Sequence, residues 1–243
     1  MWWMTIISAI SGIVSLGVMA FSDTHKALIS LIAIIFFLLA ILCSIWYTIN
    51  KFLQNNYPKE FLILSQFSKY IYKDETHMTL DAYRLIQSKK TFLSSCNWGF
   101  SWTGKHDPII KSDLQKCDGK IIKSSSNGGY DHILLKFDKP LFYNESAVVH
   151  FHADMIDTEG IAQPHLDIKI EEPRSVVDYR VILAYKDSSF NKNATFKRRL
   201  IHSSTPNEFE EIAVVPFNAI SKSYDYVLTN PEIGYFYRLE WEK

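Results

Sequence analysis

Residues 27–49 read ALISLIAIIFFLLAILCSIWYTI, a stretch with no side chain that is charged at neutral pH. A second apolar run, MWWMTIISAISGIVSLGVMAF, occupies residues 1–21. Each run is long enough to cross a bilayer, because about 20 helical residues at about 1.5 Å rise cover the roughly 30 Å hydrocarbon core. The gap between the runs, residues 22–26, is short enough to force a tight turn. The sequence therefore predicts a membrane protein with a transmembrane helical hairpin at residues 1–49.

The orientation of this hairpin follows from the lysines that flank it. The gap carries Lys26, whereas the segment after the second run carries four lysines, namely Lys51, Lys59, Lys69 and Lys73. Positive residues concentrate on the cytoplasmic side of a membrane protein, so both termini are expected in the cytoplasm. A cleaved signal peptide is the alternative for residues 1–21, but the basic segment and small-residue cleavage site that it requires are missing from the sequence.

Composition excludes several functional classes. Lys plus Arg and Asp plus Glu number 26 each, so the net charge is zero, which argues against nonspecific electrostatic capture of nucleic acid. The three cysteines form no CxxC pair and predict neither a disulfide framework nor a zinc site. The sequence also lacks phosphate-binding loops, dinucleotide glycine patterns and a serine elbow. We therefore expect no cofactor and no enzymatic activity.

Small residues line one face of the first predicted helix. Ser8, Ser11, Gly12 and Ser15 follow the spacing i, i+3, i+4, i+7 and therefore share a face. Two interpretations are open. Small residues allow close helix packing, with hydroxyls bonding between helices. Alternatively, the same stripe lines an aqueous pore in an oligomer.

Residues 50–90 predict a helical connector. Pro58, Lys59 and Glu60 form a good helix start, because proline is favoured in the first turn. Phe61, Leu64 and Ile71 then follow part of a helical period. A solvated stalk and an interfacial or oligomerising collar under the membrane are both compatible with this pattern.

From residue 91 the pattern changes to short alternating strands separated by turn signals. Val149, Phe151 and Ala153 share one strand face, as do Leu166, Ile168 and Ile170. Short strands at regular spacing indicate an antiparallel all-β sandwich or barrel, predicted as a cytoplasmic domain at residues 91–243. The predicted strands are 91–102, 120–124, 130–137, 146–155, 165–171, 178–185, 196–203, 211–216 and 235–242.

Two basic groups are candidate ligand-binding sites in this domain. The first is the run Lys197-Arg198-Arg199, followed by His202, which could hold phosphate groups. The alternative is an exposed edge strand that charge protects against aggregation. The second group is Lys105 and His106, close to aromatic residues that could stack on bases. Those aromatic residues, Trp98, Phe100 and Trp102, alternate along a strand and are also typical of a buried face.

A histidine pair is the remaining candidate site. His150 and His152 are two residues apart on a predicted strand, so they share a face and have a spacing that can bind metal. A third ligand, such as His165 or Asp167, would be needed. Solvent-facing histidines are the commoner case, and we predict no metal site.

The layout of the whole chain resembles a family of bacterial proteins. Two spans followed by a β-rich domain are similar to the two-transmembrane effectors of anti-phage systems governed by nucleotidyltransferases. The segment at residues 130–141, with Pro140-Leu141 and then Glu145, resembles a "strand, Pro-Leu, x-x, Gly-Glu" pattern of defence β-sandwiches, with Asn144 in place of glycine. The tail Pro231-x-x-Gly234-x-x-Tyr237-x-x-x-Trp241 fits the same type. The channel-forming HalA effectors of the Hailong system resemble the chain most, and the STING-like β-barrel effectors of CBASS resemble it less.

This resemblance implies a non-enzymatic effector of the bacterial inner membrane. Four or more copies would form a pore lined by the small-residue stripe, gated by a nucleotide or DNA oligomer that a partner nucleotidyltransferase makes. Opening the pore would depolarise the host. Three alternatives remain: a membrane-disrupting effector activated by a cyclic dinucleotide, an anchored sensor or adaptor without a pore, and a membrane-tethered hydrolase using His150, His152 and Asp167.

Overall fold

The computed structural model describes residue 12 and residues 23–124, 129–187, 189–203 and 208–242. The chain divides into two compact units, Met1–Asn56 and Tyr57–Lys243. The boundary therefore lies well before residue 91, where the sequence pattern predicts the β domain to begin. We refer to the second unit as the β unit.

The first unit contains the helix α1, Asp23–Asn56. Residues 23–26 are helical rather than part of a turn, which is consistent with the absence of Gly and Pro there. The segment Leu28–Asn56 is long and apolar enough to cross a membrane, a criterion that a signal sequence near the N-terminus also meets. Most of the first predicted span lies outside the described residues. Of the four residues in its small-residue stripe, the structure describes only Gly12, which is helical.

The predicted helical connector is wrong beyond Asn56. Its residues form the strands β1, Phe61–Tyr72, and β2, His77–Ser88, which pair as an antiparallel hairpin. The carboxylate of Asp74 accepts hydrogen bonds from the backbone N–H groups of Thr76 and His77 and stabilises the turn. Alternation along β1 is hidden in the sequence because the polar residues Gln66 and Ser68 occupy buried positions.

Twelve strands form three sheets in the described part of the chain. The six-stranded sheet has the order β11-β8-β1-β2-β6-β4, the four-stranded sheet has the order β10-β9-β12-β7, and β3 pairs with β5. The remaining strands are β3 (Phe92–Phe100), β4 (Ile109–Lys111), β5 (Asp131–Phe142), β6 (Ser146–Ile156), β7 (His165–Ile170), β8 (Val176–Leu183), β9 (Ala194–Leu200), β10 (Glu210–Val215), β11 (Ser223–Thr229) and β12 (Tyr235–Glu240).

Most predicted strands are confirmed within a few residues, and the β-rich character of the unit is confirmed with them. A purely antiparallel arrangement is wrong, because β1 and β8 pair in parallel. Residues 120–124 contribute only an isolated bridge between Ile122 and His132. The strands β4 and β11 were not predicted. β9 lies between β10 and β12, so its basic run is not on an edge strand.

Aromatic residues fill the core of the β unit. Trp98 and Phe100 are buried, as one interpretation of the sequence predicts, and both rings contact Phe151. The rings of Trp98 and Phe151 stack with centroids 5.4 Å apart. Elsewhere, Tyr70, Tyr72 and Trp241 contact one another. These contacts join strands that are far apart in sequence.

Replacing Phe151 by alanine tests this core. Phe151 is fully buried, so we expect Phe151→Ala to lower the free energy of unfolding by about 3–5 kcal/mol, through lost transfer energy and the cavity left behind. Chemical denaturation of the full chain in detergent measures this change. Phe142→Ala is the matched control, because Phe142 is 57% exposed and its removal should cost less than about 1.5 kcal/mol. Equal losses in the two variants would contradict the assigned core.

Candidate ligand-binding cavity

A cavity of about 720 Å³ opens between the walls of the β unit. This volume lies within the range of roughly 300–1,000 Å³ typical of small-molecule sites. Strands β1 and β2 contribute Gln66 and Arg84, and the segment before β8 contributes Arg174. The other walls come from β3, β5, β7 and the ring of Phe236 in β12.

Two arginines share one amide oxygen at this cavity. Arg84 Nε donates to Gln66 Oε1 at 2.9 Å, and Arg174 Nη1 donates to the same oxygen at 3.0 Å. The amide nitrogen of Gln66 donates in turn to Ser68 Oγ at 3.1 Å, which fixes the orientation of the amide. A neutral side chain that is 6% exposed thus holds two cations together.

The two arginines have no acidic hydrogen-bond partner in the described part of the chain, where both bond to Gln66. Arg174 is 7% exposed, and its Nε is buried without a hydrogen-bond partner among the described residues. Burial lowers the pKa of Arg84 to about 9, and the charge of Arg174 lowers it further in the same direction. Burial also lowers the pKa of Arg174, although Glu172 opposes this shift. The positive charge is therefore costly in this environment, and an anion bound beside the two arginines would lower that cost.

Stacking holds Arg84 in place. Its guanidinium lies 3.7 Å from the centroid of the Trp98 ring, which is itself buried against Phe151. A guanidinium over an indole face gains a cation–π interaction and loses little freedom when it binds a further partner. Arg84 is thus oriented before any ligand arrives.

The carboxylates at the cavity rim are already paired with cations. Lys59 Nζ lies 2.5 Å from Glu171 and 3.1 Å from Glu172, and Lys169 also contacts Glu171. Partial burial opposes ionisation of Glu171, but the two lysines prevail and lower its pKa to about 2. Asp167 is held by two hydrogen bonds from Arg238, at 2.7 and 2.8 Å. The acids are thus compensated, which leaves Arg84 and Arg174 as the uncompensated charge.

The cavity wall also offers flat rings and an inert thiol. Tyr130 and Phe236 are parallel, with centroids 6.5 Å apart, and both border the cavity. Cys96 lies in the wall as well, and burial raises its pKa to about 12, so the group stays a neutral thiol at physiological pH. This arrangement suits binding of an anion that carries a planar group, and it provides no activated sulfur nucleophile.

The predicted basic run lies outside this cavity and is engaged in other contacts. Lys197 Nζ is 3.3 Å from Glu240, and Arg198 contacts Glu210 and Glu232 at 2.9 Å each. The guanidinium of Arg199 lies 4.3 Å from the Phe236 ring centroid, on the sheet face that carries Arg238. Ion pairs thus engage Lys197 and Arg198, whereas Arg199 contacts a ring and has a buried Nε without a hydrogen-bond partner among the described residues. The role of the run in ligand binding stays a prediction.

The other predicted ligand-binding residues do not line the cavity either. Lys105 pairs with Glu159 at 2.5 Å. The backbone oxygen of His106 accepts a hydrogen bond from the indole of Trp102 at 2.8 Å. His202 is exposed in the turn after β9. The structure therefore does not unite the two predicted basic groups with the arginine pair.

The histidine pair has a structural role. His150 is 1% exposed, so the expectation of a solvent-facing side chain is wrong for it. Its Nδ1 accepts the backbone N–H of Asp113 at 3.0 Å, which holds the segment after β4 against β6. His152 Nδ1 lies 2.6 Å from Asp81. No group of three potential metal ligands occurs among the described residues.

Sequence reasoning missed the arginine pair because of one wrong prediction. Arg84 and Gln66 lie in the region predicted as helix, where a period of two was not sought. In a hairpin alignment, Gln66 and Arg84 become direct cross-strand partners. Polar residues at inward-facing positions of adjacent strands were the signal that could have revealed the site.

No protein-family model and no curated protein matches the sequence. Three solved structures illustrate the structural similarities. An M1 zinc metallopeptidase from Deinococcus radiodurans bound to a Tyr-Ser-Ala substrate has a TM-score of 0.35 and 10% identity, over 71% of this chain and 43% of that chain. A putative protease from Parabacteroides distasonis has a TM-score of 0.43 and 5% identity, over 74% of this chain and 40% of that chain. Yeast LTA4 hydrolase in complex with bestatin has a TM-score of 0.39 and 6% identity, over 75% of this chain and 29% of that chain. The chain spans less than half the length of each, and similarity at this level identifies no function.

Replacing Arg174 by methionine tests whether its charge is a cost in the empty protein. A buried cation without an acidic partner destabilises the fold, so Arg174→Met should raise the melting temperature of the ligand-free chain by a few degrees, since about 1 kcal/mol corresponds to roughly 2–4 °C at this size. Differential scanning fluorimetry in detergent measures the shift. Arg238→Met is the comparison, because Arg238 forms two hydrogen bonds with Asp167 and its loss should lower the melting temperature. A large decrease for Arg174→Met would instead identify a structural arginine.

Proposed function

We propose that the chain is a membrane-tethered, non-enzymatic effector whose β unit binds a phosphate-bearing ligand of the nucleotide or DNA-oligomer class. One observation carries this proposal: Arg84 and Arg174 converge on Gln66 at a cavity of about 720 Å³ without an acidic hydrogen-bond partner in the described residues. The apolar helix Leu28–Asn56 supplies the tether.

Phosphate is the anion that this arrangement favours. Guanidinium groups offer planar pairs of donors that match phosphate oxygens and remain charged when partly buried. Phe236 and Tyr130 provide ring faces at the same cavity, where a base can stack. Lys169 lies 5.9 Å from the Phe236 ring centroid, but its charge is paired with Glu171, so the arginines supply the net positive charge.

The output of the proposed effector is a pore in the bacterial inner membrane. In this proposal several copies assemble, the stripe Ser8, Ser11, Gly12 and Ser15 faces the pore, and a nucleotidyltransferase product controls opening. The two termini are cytoplasmic. A ligand can drive such a switch only by binding one state more tightly, by about 5.5 kcal/mol to move an equilibrium from 1:99 to 99:1. The resemblance to anti-phage effectors supports this output, and the arginine cavity supports the sensing step.

Binding of phosphate compounds by the full chain in detergent tests the sensing step. We expect isothermal titration calorimetry to detect binding of ATP, pyrophosphate or a short single-stranded DNA. Arg174→Gln should weaken this binding at least about tenfold, which corresponds to about 1.4 kcal/mol and is at the low end for a charged hydrogen bond. Arg180→Gln is the matched control, because Arg180 is half-exposed, pairs with Asp225 and lies outside the cavity.

Two results would contradict the cavity as the site. One is unchanged affinity in Arg174→Gln, and the other is equal loss in the two variants. If Lys197→Gln, rather than Arg174→Gln, abolished binding, the predicted basic run on β9 would be the site. If none of the three compounds bound, phosphate-bearing ligands would be excluded as the ligand class.

Membrane potential in bacteria expressing the chain tests the output. Rapid depolarisation, read with a voltage-sensitive dye, is expected either from the chain alone or after co-expression of a nucleotidyltransferase. Ser11→Leu should abolish it by filling the pore, whereas Ser30→Leu, the same change in α1, should not. Full depolarisation with Ser11→Leu would show that the first helix does not line the pore. Polarised, healthy cells under both conditions would favour an anchored sensor.

A further inference from the structure

Three segments of the β unit meet at one end and are joined by backbone hydrogen bonds. Residues 57–60, which we call the entry segment, lead into β1. Lys89 N–H, in the turn between β2 and β3, donates to Glu60 O in this segment at 2.8 Å. Asn144 N–H, in the turn between β5 and β6, donates to Ser88 O at 2.9 Å, and Ser88 N–H donates to Glu145 O at 2.8 Å. This end is therefore a defined structural feature.

Exposed aromatic side chains cluster at this end. Phe92, Phe142 and Tyr143 are 50%, 57% and 45% exposed. The rings of Phe92 and Phe142 form an edge-to-face pair with centroids 5.9 Å apart. Together with Tyr57 we call these residues the aromatic end. An exposed group of large rings marks an interaction surface more often than isolated apolar residues do.

A buried lysine holds the two tyrosines in place. Lys89 is 9% exposed, and its Nζ donates to Asn144 Oδ1 at 2.7 Å. The same ammonium lies 5.7 Å from the Tyr57 ring centroid and 5.5 Å from the Tyr143 ring centroid. Cation–π contacts of this kind pre-order the rings, so little conformational entropy is lost when they meet a partner.

We infer that the aromatic end inserts into the headgroup layer of a lipid bilayer. Aromatic rings with one polar end partition preferentially to the membrane–water interface. The chain enters the β unit within this cluster, at Tyr57, directly after the apolar helix that ends at Asn56. The lipid surface is therefore a partner that the tether itself brings close.

Chain length sets a limit on the distance involved. The predicted span ends at residue 49, so the seven helical residues 50–56 cover about 10.5 Å at about 1.5 Å each, and the step to Tyr57 adds at most about 3.8 Å. The headgroup layer on each side of the hydrocarbon core is roughly 5–8 Å thick. Tyr57 is thus held within a few ångströms of the headgroups by connectivity alone, whatever the orientation of the β unit.

The charges at this end are nearly balanced. Lys90 pairs with Glu60 at 2.5 Å, and the carboxylate of Glu145 accepts the backbone N–H of Phe142 at 2.8 Å. With Lys89 and with Lys59, which pairs with Glu171 and Glu172, three lysines face four glutamates. A polybasic surface would need anionic lipid. This nearly balanced surface should instead bind through its rings, so zwitterionic lipid is sufficient.

Photo-crosslinking in the full chain tests this inference. The photoreactive residue p-benzoylphenylalanine is incorporated in place of Phe142, and the protein is reconstituted into phosphatidylcholine vesicles. We expect phospholipid adducts by mass spectrometry after irradiation. The matched control places the same residue at Ile220, which is 98% exposed in the turn before β11 and should give no lipid adduct. A third variant, at Phe36 in α1, reports insertion of the apolar helix.

Each outcome has a definite meaning. Adducts at positions 36 and 142 but not at 220 support the inference. Adducts at 36 but not at 142 overturn it and leave the tether intact. A protein–protein adduct at 142 overturns it in favour of a contact between copies. Absence of lipid adducts at all three positions overturns both the inference and the tether of the proposed function. Adducts at 142 that appear only with anionic lipid would overturn the ring-based contact.

Discussion

The pairing of β1 with β2 on one side and with β8 on the other is the constraint on which the β unit depends. The antiparallel register places Gln66 directly opposite Arg84. The parallel register begins with Ser65 beside Val176, and Ser175 N–H donates to Leu64 O at 2.8 Å, so Arg174 arrives at the same point from the other side. Two strand pairings, one between neighbouring strands and one between strands distant in sequence, thus place Arg84 and Arg174 beside the amide of Gln66. Burial of the inward-facing residues of β1 then fixes both registers, because a slip by one residue would turn Gln66 and Tyr70 to the opposite face.

This arrangement of two cations at one neutral amide costs free energy of folding. Two guanidiniums share one neutral acceptor, although uncompensated buried charge is normally avoided. Elsewhere in the β unit, cations form ion pairs with acids: Arg238 pairs with Asp167, Arg198 pairs with Glu210 and Glu232, and Lys59 pairs with Glu171. Among the described residues, Arg84 and Arg174 share the lack of a carboxylate hydrogen bond with Lys89 and Arg199, but only Arg84 and Arg174 converge on one neutral acceptor. Departures from local consistency of this kind are expected at binding sites, where the ligand completes the interactions.

The sequence was sufficient for the coarse plan but not for the site. The uninterrupted apolar run at residues 27–49 predicted α1, and the alternation in 146–155 and 235–242 predicted β6 and β12, because these residues are lipid-compatible or buried. β1 and β2 were predicted as helix because Gln66 and Ser68 interrupt the apolar alternation, while Leu64 and Ile71 on the opposite face produce a false helical period. The site depends on these same residues and on the parallel pairing to β8. Long-range pairing leaves no local signal, so Arg174 could not be connected with Arg84 from sequence alone.

The entry segment contributes residues to both the cavity and the aromatic end. In the proposed switch, this segment is the route by which ligand binding in the cavity would affect the membrane helices. Lys59, Glu60 and Phe61 line the cavity, and Glu60 also pairs with Lys90 and accepts the N–H of Lys89. The Lys59–Glu171 ion pair is half-exposed, and pairs of that kind contribute about 0–1 kcal/mol. It therefore cannot by itself supply the roughly 5.5 kcal/mol needed to invert a two-state equilibrium. In the proposed switch, most of the differential binding energy would therefore arise at Arg84 and Arg174, where charge is desolvated, and the entry segment would only convey the change. The proposed switch therefore predicts that a ligand without an anionic group would fill this cavity without opening the pore.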